Sequence, residues 1–167
     1  MAFYLYSIEH SALSTWLRES PSLLVFPTIL IFHTLGMAFL AGTNAAIDLR
    51  ILGVASQMRI SPMAKFFPLM WSGFWVNAVS GVALLTAYPT KALTNPVFYL
   101  KLSCIALGVV MTQIIRNQIF RDPDVDNRSV PTKWKILAAT SLVLWTGAIV
   151  AGRLLPHTYR HFMTDSY

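Results

Sequence analysis

The sequence predicts an all-α integral membrane protein, an antiparallel four-helix bundle with an N-terminal interfacial amphipathic helix. Of its 167 residues, 55% are hydrophobic and only 12% are charged, against about 25% charged residues in an ordinary soluble domain. The apolar residues fall into four blocks, each near the length of roughly 20 residues that crosses a bilayer as a helix. No block alternates polar and apolar residues, which excludes barrel strands. Helices remain, because each satisfies its backbone polar groups within its own segment.

The chain is predicted to form one transmembrane domain, residues 1–167, with four spans. The spans cover residues 23–46, 66–87, 96–120 and 136–155, with approximate ends. Pro27 lies early in the first span, where it either starts the helix or kinks it. Asn95 followed by Pro96 is typical of a helix N-cap and first turn, so the third span begins there.

A short segment ahead of the first span is amphipathic. Residues 7–18 place one broad apolar face on a helical wheel, formed by Ile8, Ala12, Leu13, Trp16 and Leu17. Glu9 falls inside that face. The segment is predicted to lie in the membrane interface rather than to cross it.

The net charge of +6 favours lipid over nucleic acid as the partner, since the basic residues flank apolar spans. Eight of the thirteen Lys and Arg residues lie in or beside the loops after spans one and three: Arg50, Arg59, Lys65, Arg116, Arg121, Arg128, Lys133 and Lys135. The positive-inside rule makes these loops cytoplasmic. Four spans then leave both termini on the external, periplasmic side.

Several common sites are excluded by their missing residues. The only cysteine, Cys104, excludes an intramolecular disulfide and a cysteine-based metal cluster. The acidic loop that begins at Asp122 has Asn127 where an EF-hand needs glycine and Lys133 where it needs glutamate. No nucleotide-binding loop or HExxH motif is present. Whether the chain is an enzyme stays open, and an electron-transfer or accessory role is favoured.

The first span carries a mainly polar stripe. At about 100° per residue, His33, Met37, Asn44 and Asp48 fall on one face, together with Leu40. Polar groups in a membrane helix face the bundle interior. A histidine in that position either bonds to a neighbouring helix or ligates a metal, and the sequence leaves both interpretations open.

Haem b is the predicted cofactor. All four histidines fall in the half predicted to be external, and they are the candidate metal ligands: His10, His33, His157 and His161. Gly36 and Gly81 are predicted to admit the porphyrin ring, and Arg153 is a candidate partner for a propionate. The second axial ligand is not identified, so a five-coordinate haem and a haem shared with a partner chain both stay open. Copper is the other candidate, because Met37 and His33 suit Cu(I).

The segment His33-Thr-Leu-Gly36-Met37, followed by Gly42 and Asp48-Leu-Arg50-Ile-Leu-Gly53, resembles the first helix of a group of bacterial multi-pass membrane proteins. That group is compared with the copper-resistance CopD proteins and with cytochrome b561-type haem proteins. Asn95-Pro96-Val-Phe98, followed by Lys101-Leu, resembles their entry to the third span. The resemblance covers about a third of the chain. It implies a bacterial inner membrane and His33 as a haem ligand. The b561-type proteins use histidines on several helices, whereas only one lies within a span here.

The predicted function is therefore that of a small b-type haem or redox-associated electron-transfer subunit, passing electrons between the quinone pool or an external partner and another subunit. The alternative is a non-catalytic scaffold or accessory subunit of a larger membrane complex, and the third hypothesis is copper handling. Other membrane subunits or further copies of this chain are the expected protein partners. Asp48 and Arg50 are interpreted as an anchoring pair at the cytoplasmic end of the first span.

Overall fold

A computed structural model describes residues 14–16, 25–122, 125–126 and 129–164. Four long helices dominate this part of the chain: α1 (Val25–Leu52), α2 (Phe66–Ala87), α4 (Pro96–Gln118) and α5 (Thr132–Thr164). A 3-10 helix, Ser61–Lys65, precedes α2, and the short helix α3, Pro89–Leu93, precedes α4. The described residues form no strand. Four helices are long and apolar enough to cross a membrane, so the predicted all-α class is confirmed.

The helix ends follow local signals where those signals are strong. Asn95 caps α4, and its Oδ1 accepts a hydrogen bond from the backbone N of Val97 at 2.9 Å. Pro27 is the third residue of α1, in the first turn, where its missing N–H costs no helical bond. The helix α2 covers the predicted span of residues 66–87. In contrast, α1 continues six residues past the expected residue 46, and α5 extends well past residue 155.

Consecutive long helices run antiparallel. Between α4 and α5, Lys101 lies beside Gly152 near one end of the pair, and Gly108 lies beside Trp145 further along. The residue numbers therefore rise along one helix as they fall along the other. The helix α1 packs against both α2 and α5, which places its polar stripe inside the bundle.

Small residues bring the backbones of α1 and α2 into contact. A Cβ atom on Gly36 would lie 2.6 Å from the backbone N of Asn77 and 2.8 Å from the carbonyl O of Gly73. A Cβ atom on Gly73 would lie 2.9 Å from the carbonyl O of Gly36. Close approach at small residues is how membrane helices gain packing energy without a hydrophobic driving force between them.

The bundle is apolar on both its inside and its outside. The buried core draws on all four long helices and includes Leu40, Ile47, Ile51, Phe67, Met70, Ile115, Ala138 and Trp145. Large apolar side chains such as Val79, Val82 and Val143 are well exposed. An exposed apolar exterior is what a bilayer-embedded bundle requires, since lipid replaces water around it.

The two loops with the most basic residues meet at one end of the bundle. The carboxylate of Asp126 accepts hydrogen bonds from the backbone N of Ile60 at 2.6 Å and of Ser61 at 3.2 Å, and from the Ser61 hydroxyl. Asp126 thereby joins the loop after α4 to the 3-10 helix after α1. The bond from the Ser61 hydroxyl is the largest cause of a lowered pKa for this exposed carboxyl.

Only part of the predicted interfacial segment lies within the described residues. Residues 14–16 are helical. Ser14 is buried, and its hydroxyl donates to the carbonyl O of Ala87 at 3.4 Å, while Trp16 is exposed. The remainder of residues 7–18 lies outside the described residues.

Candidate functional site: two polar layers in the bundle

The first cluster, the His33 layer, consists of His33 on α1, Asn77 and Ser80 on α2, and Lys101 on α4. The Nδ1 atom of His33 lies 3.1 Å from the carbonyl O of Asn77 and 3.1 Å from Oγ of Ser80. The Ser80 hydroxyl donates to the carbonyl O of Val76 at 2.6 Å. Both neighbours therefore accept, and Nδ1 carries the proton that is donated to them.

The other ring nitrogen of His33 faces a lysine. Its Nε2 atom lies 3.2 Å from Nζ of Lys101. An ammonium group only donates, so Nε2 accepts, and the imidazole in this contact is neutral with its proton on Nδ1. Nε2 is the basic atom of the layer, and it lies within hydrogen-bond distance of a proton carrier.

Local sequence explains why these side chains meet. The cap at Asn95 starts α4 so that Lys101 falls in the second turn of the helix. The stem of Lys101 packs on Gly152, where a Cβ atom would lie 3.6 Å from Cε of the lysine, an ordinary van der Waals contact. Gly81 leaves room for the imidazole, because a Cβ atom there would lie 3.2 Å from Cε1 of His33. Asn77 also donates from Nδ2 to the carbonyl O of His33 at 2.8 Å.

The second cluster, the Asp48 layer, consists of Asn44 and Asp48 on α1, Thr112 on α4 and Ser141 on α5. All four side chains are buried, and so is Trp145, which packs on Gly108 one turn before Thr112. The hydroxyl of Thr112 donates to Oδ1 of Asn44 at 2.6 Å. Ser141 lies beside the carboxyl of Asp48 as a hydrogen-bonding neighbour. Among the described residues, Oδ2 of Asp48 and Nε1 of Trp145 have no hydrogen-bond partner.

The same offset in residue number relates α1 to α4 in both layers. His33 with Lys101 and Asn44 with Thr112 are each separated by 68 positions in the chain. Eleven residues therefore separate the layers on both α1 and α4, which is about three helical turns and ~16 Å. The two helices run parallel and present the same faces to each other. Leu40, only 1% exposed, lies between the layers on α1.

The structure places the predicted cofactor residues in different settings. His33 lies within its layer, and Gly81 lies against its ring. Gly36 is covered by the backbone of α2, and Arg153 is exposed on α5. Met37 is partly buried against the core.

Three predicted metal ligands cannot be placed. His10 and the side chains of His157 and His161 lie outside the described part of the chain. Within that described part, no three His, Cys, Asp or Glu side chains are grouped so that they could hold a metal ion.

These contacts bear on whether His33 and the two predicted glycines fit a haem. Nε2 of His33 accepts from Lys101, so it fits an axial ligand only if Lys101 moves away. The two glycines named for the ring do not fit that role, because Asn77 and Gly73 cover Gly36. At Gly81 the imidazole itself occupies the space. Haem ligation by His33 stays a prediction.

The anchoring pair of Asp48 and Arg50 is not formed. Asp48 is 1% exposed and faces Ser141. Arg50 is half-buried and donates to the carbonyl O of Met58 and, at 3.1 Å, to that of Ser56. The two side chains do not meet because α1 is longer than predicted. Asp48 is buried within the bundle, whereas Arg50 bonds to the turn that follows the helix.

Sequence reasoning did not identify Lys101 as the partner of His33. The available signal was the N-cap at Asn95, which puts Lys101 about 7 Å inside the helix start, given the helical rise per residue. The stripe on α1 did predict that His33, Asn44 and Asp48 face inward.

Comparisons of this chain with protein-family models, with curated protein sequences and with solved structures find no match.

Proposed function

We propose that this protein is a membrane-embedded, redox-associated subunit that handles protons, with His33 and Lys101 as the pair that takes up and releases a proton. The observation that carries the proposal is the 3.2 Å contact between Nε2 of His33 and Nζ of Lys101 inside the bundle. Ionisable side chains within membrane spans are costly, and where they face the interior they mark ion pathways and proton relays.

The chemistry of imidazole supports a relay. Its two nitrogens let it accept a proton at one position and release the other from the opposite side of the ring. Here Nε2 faces the ammonium group of Lys101, and Nδ1 faces Ser80 and the carbonyl of Asn77. Hydrogen bonds thus connect the ring to α2 and α4. Release of the Nδ1 proton through Ser80 requires the Ser80 hydroxyl to turn away from the carbonyl O of Val76.

The packing argues against a permanently open channel. Leu40 separates the His33 layer from the Asp48 layer and is almost fully buried. Passage between the layers therefore depends on water entry or on movement of α1. We therefore expect proton exchange that is controlled rather than continuous. The association with a redox partner rests on the resemblance described for the first and third helices.

Proton flux into liposomes tests the proposal. The purified protein is reconstituted with a pH-sensitive dye inside the vesicles, and a potassium gradient with valinomycin drives protons inward. We expect flux above that of protein-free liposomes, and its loss in His33→Gln, whose amide keeps hydrogen bonds but does not carry a proton at neutral pH. Thr34→Val is the matched control, because Thr34 is exposed on the same helix and donates to Leu30 of its own helix. Flux no greater than in protein-free vesicles contradicts the proposal.

Haem binding through His33 is the second candidate, and one observation favours it. Nδ1 donates to a backbone carbonyl, that of Asn77, as metal-ligating histidines usually do with their other nitrogen. A b-type haem would supply one-electron redox chemistry. A visible spectrum of the purified protein, oxidised and then reduced with dithionite, tests this interpretation. A Soret band that His33→Ala abolishes supports it, and a featureless spectrum after expression with ample haem contradicts it.

If neither proton flux nor a haem spectrum is found, the remaining interpretation is an accessory subunit of a larger complex. Exposed aromatic side chains such as Trp75 and Tyr99 would then contact lipid or other subunits. Copper handling makes its own prediction, namely copper in the purified protein that is lost in His33→Ala.

A further inference from the structure

A cavity lies where the end of α1 and the start of α5 meet the loop after α4. Its volume is about 250 Å³, and its walls include Arg50, Ile51, Ile60, Asp126 and Lys135. Ile51 and Ile60 are only 1% and 2% exposed, whereas Asp126 and Lys135 are exposed. The cavity therefore has an apolar floor and a charged, accessible rim.

The end of α1 holds Arg50 at this cavity. Gly53 has a φ of 105°, the left-handed conformation that ends many helices and that glycine adopts without steric cost. The chain then turns back, and the guanidinium of Arg50 donates from Nε to the carbonyl O of Met58 and from Nη2 to that of Ser56. These bonds fix the side chain and leave the donors of Nη1 for another acceptor.

The two cations of the cavity are not neutralised by the carboxylate in its walls. Asp126 accepts hydrogen bonds from the start of the 3-10 helix, and the charged side chain that acts on it is Arg59. Within the part of the chain that the structure describes, Arg50 and Lys135 pair with no carboxylate. The cavity therefore presents two positive charges to a ligand.

The chemistry of the two cations favours a phosphate group. A guanidinium offers N–H donors in one plane that match the oxygens of a phosphate, and an ammonium group binds phosphate as a point charge. A metal cation is disfavoured, because the positive charges of Arg50 and Lys135 exceed the single negative charge of Asp126.

The position of the cavity favours a phospholipid as the source of that phosphate. Arg50 lies in the last turn of α1, and Lys135 is the fourth residue of α5. Both helices are long and apolar enough to cross a membrane, so their ends lie at the level of the lipid headgroups. Basic pockets between membrane helices bind anionic headgroups at that level.

We propose that this cavity binds the phosphate group of an anionic phospholipid, with Arg50 and Lys135 as the side chains that contact its oxygens. The site is separate from the proposed proton pair, because Arg50 and His33 lie ~25 Å apart along the axis of α1. The inference therefore goes beyond the proposed function and does not depend on it.

Native mass spectrometry of the purified protein in detergent tests the site. The protein is titrated with phosphatidylglycerol or phosphatidylcholine, and the fraction that carries one lipid is measured. We expect phosphatidylglycerol to bind more tightly. Lys135→Met should weaken its binding about fivefold, the contribution of one basic residue near a membrane surface, and Arg50→Met should weaken it at least as much. Lys133→Met is the matched control, since it removes the same charge from a lysine that lies over the ring of Trp134 and does not line the cavity.

Competition distinguishes a lipid headgroup from a soluble phosphate. Inorganic phosphate is added to the complex with phosphatidylglycerol, and chloride at the same ionic strength serves as the reference. We expect no displacement of the lipid beyond that caused by chloride. Displacement by phosphate alone assigns the cavity to phosphate from solution and overturns the lipid as its source.

Two further outcomes contradict the site itself. Equal losses in Lys133→Met and Lys135→Met overturn it, because the attraction would then be spread over the basic surface. Equal binding of the two lipids also overturns it, because the charge of the ligand would not matter. Each variant is first compared with the unmodified protein by circular dichroism. Lys135→Met, which changes an exposed side chain, stays the test if the loss of the Arg50 bonds prevents folding of Arg50→Met.

Discussion

Lys101 on α4 lies 3.2 Å from Nε2 of His33 on α1, and this contact joins the first and third membrane-crossing helices. The contact orients the ring, because it leaves Nδ1 as the nitrogen that donates to Asn77 and Ser80. It also explains why a lysine lies inside an apolar bundle, since its ammonium group has an acceptor there. A histidine that sequence analysis treats as a metal ligand thus has a protein partner at its basic nitrogen.

The tautomer of His33 gives the first prediction. We expect ¹⁵N resonances of the labelled protein at neutral pH to show a protonated Nδ1 and an unprotonated, hydrogen-bonded Nε2, since Nε2 accepts from Lys101. His33→Gln assigns these resonances by their loss. In Lys101→Met the Nε2 resonance should move, because its donor is gone, while the Nδ1 resonance changes less. A protonated Nε2 in the unmodified protein would contradict the arrangement.

The bond from Thr112 to Asn44 gives the second prediction. Thr112→Val keeps the shape and removes a buried hydrogen bond of 2.6 Å between α4 and α1. Bonds between membrane helices average about 0.6 kcal/mol and reach about 1.7 kcal/mol, so we expect a loss of stability within that range. Unfolding in detergent measures it. Thr146→Val, on the exposed side of α5, should change stability by much less, and equal losses would contradict a specific role for this bond.

The contact between α1 and α2 gives the third prediction. In Gly36→Ala the new methyl group would lie 2.6 Å from a backbone atom of α2, so the helices must separate. Overpacking of this kind costs about 1–3 kcal/mol. Gly42→Ala is the matched control, since nothing lies within 4 Å of its Cβ position. We expect Gly36→Ala to lower the melting temperature and Gly42→Ala to leave it unchanged or slightly raised. Equal behaviour of the two variants would refute the close contact.

The loop carboxyl of Asp126 gives the fourth prediction, which concerns pH. Its pKa is lowered from the ordinary value of 3.8, chiefly because it accepts a hydrogen bond from the Ser61 side chain. A lowered pKa means that the link between the loops is fully present above pH 3.8 and is lost as the pH falls through the lower, folded-state value. Amide exchange at Ile60 and Ser61, corrected for intrinsic rates, should show this loss of protection in acid. In Asp126→Asn the protection should be weak at every pH, and unchanged protection would contradict the link.

The class of fold could be predicted from the sequence because it depends on local properties. Hydrophobic length determines that a segment crosses the membrane. The residues around Asn95 determine where α4 begins, because a cap acts on the turn beside it. The bounds of α1 were less predictable, since Asp48 lies beyond the apolar block and is kept helical and buried by contact with α5.

The candidate site could be predicted only in part, because local sequence does not determine how the helices pack. Helical periodicity by itself placed His33, Asn44 and Asp48 on one inward face of α1. Which side chains meet that face depends on how far each neighbouring helix slides along α1 and how it is rotated. Those two quantities are determined by contacts between helices, such as Gly36 against Gly73 and Gly108 against Trp145. Only the tertiary structure therefore decided that Lys101 faces His33 and that Asp48 lies beside Ser141.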